Sequence, residues 1–148
     1  MKTFTILSMA IATNLYAVIG ESEPEIKARY GGSTETMATE SPREVWKAYK
    51  SDGRIIYVAF LDGRSQMETY KTSNGNPLAR ADIDGLLKAN NGGAEWQRDS
   101  SATTGKERWF RFNTAGEEQA VALYDPKSAS SPFSVMTPAY REYRRTRK

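Results

Sequence analysis

Residues 45–71, VWKAYKSDGRIIYVAFLDGRSQMETYK, decide the fold class of this chain. Three runs within this stretch are rich in β-branched and aromatic side chains, which favour strands: residues 45–50, 54–61 and 64–71. Asp-Gly pairs at 52–53 and 62–63 separate them, and this dipeptide is among the strongest short signals for a two-residue hairpin turn. The stretch therefore predicts a three-stranded antiparallel meander.

Two helices are predicted, one before this meander and one after it. The first covers about residues 23–30, because Ser22 and Glu25 have the spacing of a capping box and Gly31 follows the run. The second covers about residues 79–90, where apolar side chains recur at helical spacing. Four more strands are predicted after it: residues 95–99, 107–113, 119–124 and 133–137. This order of elements predicts an α+β fold, with an antiparallel sheet and the helices on one face.

The two sets of strands resemble each other. Residues 46–65 match residues 109–128 at nine positions with a fixed offset of 63. The match favours two α-βββ repeats, at residues 21–75 and 76–138, followed by a basic tail at 139–148. The alternative is that unrelated hairpins share turn glycines and alternating apolar side chains.

The N-terminus is typical of an export signal. Lys2 is followed by an uncharged, moderately apolar stretch that extends to Gly20, and small residues suited to cleavage occur at Ala17 and Gly20. A signal peptide at residues 1–20 is favoured over an uncleaved anchor, because the apolar stretch is at the short end of what a bilayer requires. The predicted product is a secreted or periplasmic bacterial protein with no stable transmembrane span after cleavage.

The composition restricts the chemistry. The chain of 148 residues has no His and no Cys. A Ser-His-Asp triad, a thiolate nucleophile, a Cys/His zinc site and a disulfide are therefore excluded. No other catalytic motif occurs at a recognisable spacing, so we expect no catalytic residues, no cofactor and no metal, and a carboxylate enzyme is the least favoured class.

The net charge of +3 is concentrated at the C-terminus, where five cations lie close together: Arg141, Arg144, Arg145, Arg147 and Lys148. A nucleic-acid-binding domain usually carries its positive charge on a folded face, so no nucleic-acid partner is expected. The cluster is instead a candidate contact for an anionic surface, although a short terminal run of charge is often only solvated.

The predicted turns also set which side chains share a face. They pair Tyr49 with Ile56 and Val58 with Met67. The face expected to pack against the helices then carries Val45, Tyr49, Ile56, Val58, Phe60, Met67, Phe110, Phe112, Val121 and Leu123. The opposite, open face carries aromatic and charged side chains of the kinds enriched at binding hot spots. Six of them are predicted to bind a partner: Trp46, Tyr57, Tyr70, Trp109, Arg111 and Tyr124. The alternative is that these aromatics only support packing between strands.

Three features together carry a resemblance to known exported domains: helices that end in glycine, a first strand led by Trp46, and Asp-Gly hairpins. In architecture the chain resembles the outer-membrane assembly lipoprotein family and the β-lactamase inhibitor protein family, over most of residues 22–138. The stretch ADIDGLLKANNGGAEW at 81–96 is also similar to small uncharacterised secreted bacterial proteins. The inhibitor's use of its concave sheet implies a partner-binding role for the open face. This chain lacks the inhibitor's cysteines and the lipidated cysteine of the assembly family, so only the architecture transfers.

The sequence therefore predicts an exported, non-catalytic protein-binding module that uses the aromatic open face of its sheet. Its expected partner is another exported or envelope protein. The alternative is an envelope-associated structural protein that its basic C-terminal tail tethers to an anionic cell-surface polymer or lipid.

Overall fold

The computed structural model describes residues 18–102 and 105–147. The predicted signal peptide lies outside this part of the chain except for its last three residues. Within the described residues the helices are α1 (Glu23–Tyr30), α2 (Arg80–Ala89) and α3 (Pro138–Arg145). The strands are β1 (Glu35–Ala38), β2 (Glu44–Ser51), β3 (Arg54–Leu61), β4 (Arg64–Thr72), β5 (Gln97–Arg98), β6 (Glu107–Phe112), β7 (Glu118–Tyr124) and β8 (Phe133–Met136).

All eight described strands form one antiparallel sheet in the order β1-β2-β3-β4-β8-β7-β6-β5. Strand β8 lies in the middle and pairs with β4 on one side and β7 on the other. The predicted α+β class and antiparallel sheet are therefore confirmed, and both halves of the chain share one continuous sheet.

The predicted hairpins form as expected. Asp52 and Asp62 have φ values of 48° and 51°, and the glycine after each also has positive φ. Two consecutive residues in this conformation match the right-handed twist of the flanking strands, which is why Asp-Gly favours such a turn. Strand β1, which the sequence analysis did not predict, adds to the free edge of β2.

Helices α1 and α2 cover one face of the sheet, hereafter the helix-covered face. Ile26 of α1 and Ile83 and Leu86 of α2 are buried there, together with Leu78 from the segment before α2. They pack on a row of large side chains that the strand register aligns across five strands: Tyr49, Ile56, Tyr70, Phe133 and Tyr124. This row is the centre of the hydrophobic core.

The predicted register fails in β4 because the strand contains a bulge. Phe60 pairs with Ser65, as the turn requires, but Ala59 pairs with Met67 and Val58 with Glu68. The one additional residue reverses the faces of all later side chains in the strand. Glu68 and Tyr70 consequently lie on the helix-covered face, fully buried, and Met67 lies on the open face.

The faces predicted for β6 and β7 are also wrong. Trp109 and Tyr124 are on the helix-covered face, only 6% exposed, and Leu123 is on the open face. The prediction carried the faces of the first half over at an offset of 63, and Trp46 and Trp109 lie on opposite faces. The indole of Trp109 fits beneath the helices because its partner across the ladder is the small Ala122. Residues that match in sequence at this offset therefore do not occupy equivalent positions in the sheet. The description of the chain as two repeats stays a prediction.

Helix α3 lies on the opposite, open face of the sheet, at one end. Thr137 caps it by accepting a hydrogen bond from the Tyr140 N–H, and Pro138 occupies its first turn. The predicted basic tail is therefore helical as far as Arg145. Of the described helices, none has the length and apolar character that crossing a membrane requires.

Candidate functional site

The part of the open face beyond α3 carries a row of side chains in register. The ladder places Tyr57, Thr69, Ser134, Leu123 and Arg108 side by side on five adjacent strands: β3, β4, β8, β7 and β6. The hydroxyls of Thr69 and Ser134 lie 2.9 Å apart and form a hydrogen bond across the joint between the two halves. We call these five residues the open row.

Leu123 is the distinctive member of the open row. It is 37% exposed, and it is the one exposed large hydrophobic side chain in the described part of the chain. Leu123 therefore marks a position on the open face where apolar contact area is still available.

A cleft opens beside Leu123, where β6 and β8 begin and β7 ends. Its volume is about 430 Å³, within the range of small-ligand and peptide-anchor pockets. Its lining comprises Ser101, Ala102, Lys106, Glu107, Arg108, Leu123, Tyr124, Asp125, Pro132 and Ser134. The apolar and aromatic lining residues are Ala102, Leu123, Tyr124 and Pro132, and the charged ones are Lys106, Glu107, Arg108 and Asp125. We call this site the end cleft.

The charges around the end cleft are paired with one another. Arg108 donates to Asp99, with its Nε 2.7 Å from Oδ2, and Lys106 Nζ lies 3.4 Å from Asp125 Oδ2. Hydrogen bonds from Ser101 and from Arg108 lower the pKa of Asp99 to about 2, so this carboxylate stays ionised. The cleft therefore offers an apolar surface within a ring of balanced charge.

The other end of the open row carries uncompensated positive charge. Lys71 Nζ lies 4.8 Å from the centre of the Tyr57 ring, within the range of a cation–π contact. Lys50 and Lys71 flank Ile55 across the ladder. Among the described residues, neither lysine has an acidic partner within ion-pair distance.

The structure separates the six residues predicted to bind a partner. Tyr57 is half-buried in the open row. Trp46 shares that face but lies under α3, with its ring centre 6.5 Å from that of Tyr140. Tyr70, Trp109 and Tyr124 are buried on the helix-covered face.

Arg111, the sixth of these residues, also points to the helix-covered face. It donates to the Asn90 carbonyl at the end of α2 and stacks over Trp96 at 5.6 Å. Burial lowers its pKa. Arg111 thus ties α2 to the sheet, where its positive charge also suits the negative end of a helix dipole.

The basic cluster at the C-terminus is largely paired within the fold. Arg141 pairs with Glu118, Arg144 with Glu44, and Arg145 with Glu142. Arg147 stacks on Tyr143, and Lys148 lies outside the described residues. The tether to an anionic surface stays an alternative prediction, with three of its five cations already engaged by acids of the same chain.

Apart from Tyr57, the open row and the end cleft are not predicted from the sequence, because the strand pattern assigns Leu123 to the core. The available signal was the β7 sequence Ala-Val-Ala-Leu-Tyr, in which small Ala120 and Ala122 alternate with larger residues. Small residues on one face indicate close packing against a neighbouring element, which places Val121 and Leu123 on the other face. Within the described chain, no cluster of three or more potential metal ligands occurs.

No family model matches the chain, and no curated protein matches it. Among solved structures, it is similar to a cysteine-rich secretory protein from Staphylococcus aureus subsp. aureus Mu50, with 9% identity and a TM-score of 0.46 over 82% of this chain and 45% of that one. It is also similar to an extracellular protein containing a SCP domain from Bacillus anthracis str. Ames, with 10% identity and a TM-score of 0.47 over 97% of this chain and 51% of that one. The chain spans about half the length of these structures. Both neighbours are described as secreted or extracellular, and likenesses this distant carry no argument about function.

Proposed function

We propose that this protein is an exported, non-catalytic binding module that holds a partner protein against the open row and the end cleft. The observation that carries the proposal is Leu123, an exposed leucine beside a cleft of about 430 Å³. The partner inserts an apolar side chain between Leu123 and Pro132, and its surface extends along the row toward Tyr57.

The chemistry of the site supports binding more than catalysis. The two carboxylates that line the cleft, Glu107 and Asp125, are each engaged by a cation. Asp99, which pairs with Arg108 beside the cleft, has a pKa lowered to about 2, whereas a general acid needs a raised pKa. An apolar centre inside a polar rim is instead the usual anatomy of a protein interface.

The positive end of the row adds a preference for the partner's charge. Lys50 and Lys71 stand beside Tyr57 with no acidic partner in the described chain. A partner with an acidic side chain at least two strand spacings, about 10 Å, from its apolar anchor gains an ion pair there. The proposed partner is thus an exported protein that presents an apolar residue and an acidic residue on one surface.

The test is capture of a partner from the source organism's exported proteins, followed by titration of the identified and purified partner. A Leu123→Gln, Tyr57→Ala variant should bind at least about 30-fold more weakly, since the loss of one hot-spot residue costs on the order of 2 kcal/mol. Gln119→Ala is the matched control, because Gln119 is exposed on the same strand but outside the cleft.

Circular dichroism establishes first that both variants fold. Unchanged affinity in the folded double variant would refute the site. A loss of affinity in the Gln119→Ala control to the same extent would show that the effect is not specific to the open row.

A further inference from the structure

Residues 18–21, between the apolar N-terminal stretch and α1, belong to the folded structure. The Ile19 N–H donates to Asn90 Oδ1 at 3.0 Å, and the Gly20 N–H donates to the Ser65 carbonyl at 2.7 Å. Asn90 and Ser65 are both fully buried. These backbone groups therefore satisfy polar atoms that water does not reach.

Further contacts hold the same residues in place. The Ser65 hydroxyl donates to the Val18 carbonyl at 3.3 Å, and the Ser65 N–H donates to the Glu21 carbonyl at 2.8 Å. The side chain of Ile19 packs against the hydrophobic core. The segment thus extends the sheet pairing that Ser22 makes with Arg64.

The nitrogen of Val18 faces an acid. It lies 3.1 Å from Glu21 Oε2, and the other oxygen of this carboxylate is bound by Arg29. The Glu21 side chain is only 18% exposed, so a positive charge on the Val18 nitrogen would be poorly screened by solvent.

We infer that export processing removes residues 1–17 and that the mature chain begins at Val18. This inference rests on the export part of the proposed function. Water hydrolyses the Ala17–Val18 peptide bond, which leaves a carboxylate on Ala17 and an α-ammonium group on Val18. The new ammonium group then lies beside the Glu21 carboxylate and forms an ion pair in the place of the present amide hydrogen bond.

Cleavage after Gly20 would have a different consequence. It would remove the Ile19 N–H, which donates to Asn90 Oδ1, and the Gly20 N–H, which donates to the Ser65 carbonyl. It would also remove the apolar contact that the Ile19 side chain makes with the core. A buried acceptor that loses its donor destabilises a fold measurably. Ala17 and Gly20 are both small enough to precede a cleavage site, and the residue two before each is Leu15 and Val18, respectively. The pattern of small residues is therefore met better at Gly20, and it is the contacts of residues 18–20 that favour Ala17.

The test is expression of the full chain in an exporting bacterial host, with intact mass and N-terminal sequencing of the exported protein. An N-terminus at Val18 supports the inference. An N-terminus at Glu21 overturns it and leaves the proposed binding function intact. An unprocessed chain that stays in the cell overturns both the inference and the export that it rests on.

A second measurement tests the ion pair in the exported protein. The α-amino group of wild type should react with an acylating reagent at neutral pH roughly three- to tenfold more slowly than that of Glu21→Gln, because the carboxylate keeps the amine protonated. Glu35→Gln, an exposed change on β1, is the control and should behave as wild type. Equal rates in Glu21→Gln and wild type would overturn the pairing of Val18 with Glu21.

Discussion

At the scale of single residues, Glu68 is the most unusual side chain in the core. The β4 bulge places it on the helix-covered face, where it is fully buried. Burial raises the pKa of Glu68 to about 7, although a hydrogen bond from the Tyr70 hydroxyl at 2.5 Å partly opposes this shift. Folding therefore favours the protonated acid.

The buried acid makes stability depend on pH in a defined direction. The folded pKa of about 7 is above the unfolded value of 4.5, so the folded chain holds this proton more tightly. The stabilisation that the protonated Glu68 gives to the fold is complete below about pH 4.5. It is lost as the pH rises toward 7, and the loss in the free energy of unfolding is up to about 3 kcal/mol. Urea unfolding of Glu68→Gln should show a shallower pH slope in this window than wild type, and a higher free energy of unfolding at pH 8. An unchanged slope would contradict the assignment, and Glu35→Gln is the control.

Gly92 is a second residue whose backbone conformation and closest neighbour both disfavour a side chain. It has a φ of +55°, and a Cβ there would lie 2.7 Å from Arg111 Nη1. Gly93 also has positive φ, but nothing lies within 4 Å of the position that its Cβ would occupy.

Gly92→Ala and Gly93→Ala therefore separate backbone strain from a steric clash. Gly93→Ala should cost about 1 kcal/mol through strain alone. Gly92→Ala should cost more, because the Arg111 guanidinium must also leave the end of α2. Thermal unfolding of the two variants measures the difference, and equal losses would show that Arg111 moves aside freely.

At the scale of elements, α3 is held by a buried polar contact. Tyr140 is 1% exposed, and its hydroxyl donates to Glu44 Oε1 at 2.5 Å. Burial alone would raise the pKa of Glu44, but hydrogen bonds from Tyr140 and Trp46, together with Arg144, lower it below the ordinary value. Glu44 thus stays ionised and fixes the helix on the open face.

Truncation of this anchor should release the helix. Tyr140→Ala removes a large buried ring, a change that typically costs about 3 kcal/mol or more. Trypsin should then cut after the arginines of α3 much faster than in wild type, as followed by mass spectrometry. Tyr143→Ala is the matched control, since Tyr143 is on the same helix but only partly buried. Equal cleavage rates in the two variants would mean that Tyr140 is not the anchor.

At the scale of the whole molecule, β8 makes one structure out of two halves. It pairs with β4 from the first half and with β7 from the second. Its inward residues, Phe133 and Val135, are completely buried in the same core as Ile26 and Ile83. The halves therefore share a core as well as a sheet.

Unfolding should consequently occur in one cooperative step. Tryptophan fluorescence, which reports on both halves through Trp46 and Trp109, and far-ultraviolet circular dichroism should give coincident urea transitions. Two separated transitions would show that the halves fold as independent units.

Much of the local structure of this protein, although not strand β1 or the β4 bulge, follows from its sequence alone. The Asp-Gly turns, the helices at α1 and α2 and the α+β class were predicted because each depends on interactions between residues a few positions apart. The same reasoning excluded chemistry based on histidine and cysteine, since absent residue types need no structure to exclude them.

Which side chains face the helices is a property of the tertiary structure. A bulge of one residue in β4 moved Glu68 and Tyr70 into the core, and the pairing of β7 with β8 placed Tyr124 in the core and Leu123 on the open face. The side chains of a strand alternate between the two faces of the sheet. A shift of one residue therefore moves every later side chain to the opposite face, and the local sequence shows almost no sign of it. The packing of the helices and of β8 selects between the two faces, and the position of the candidate site follows from that selection.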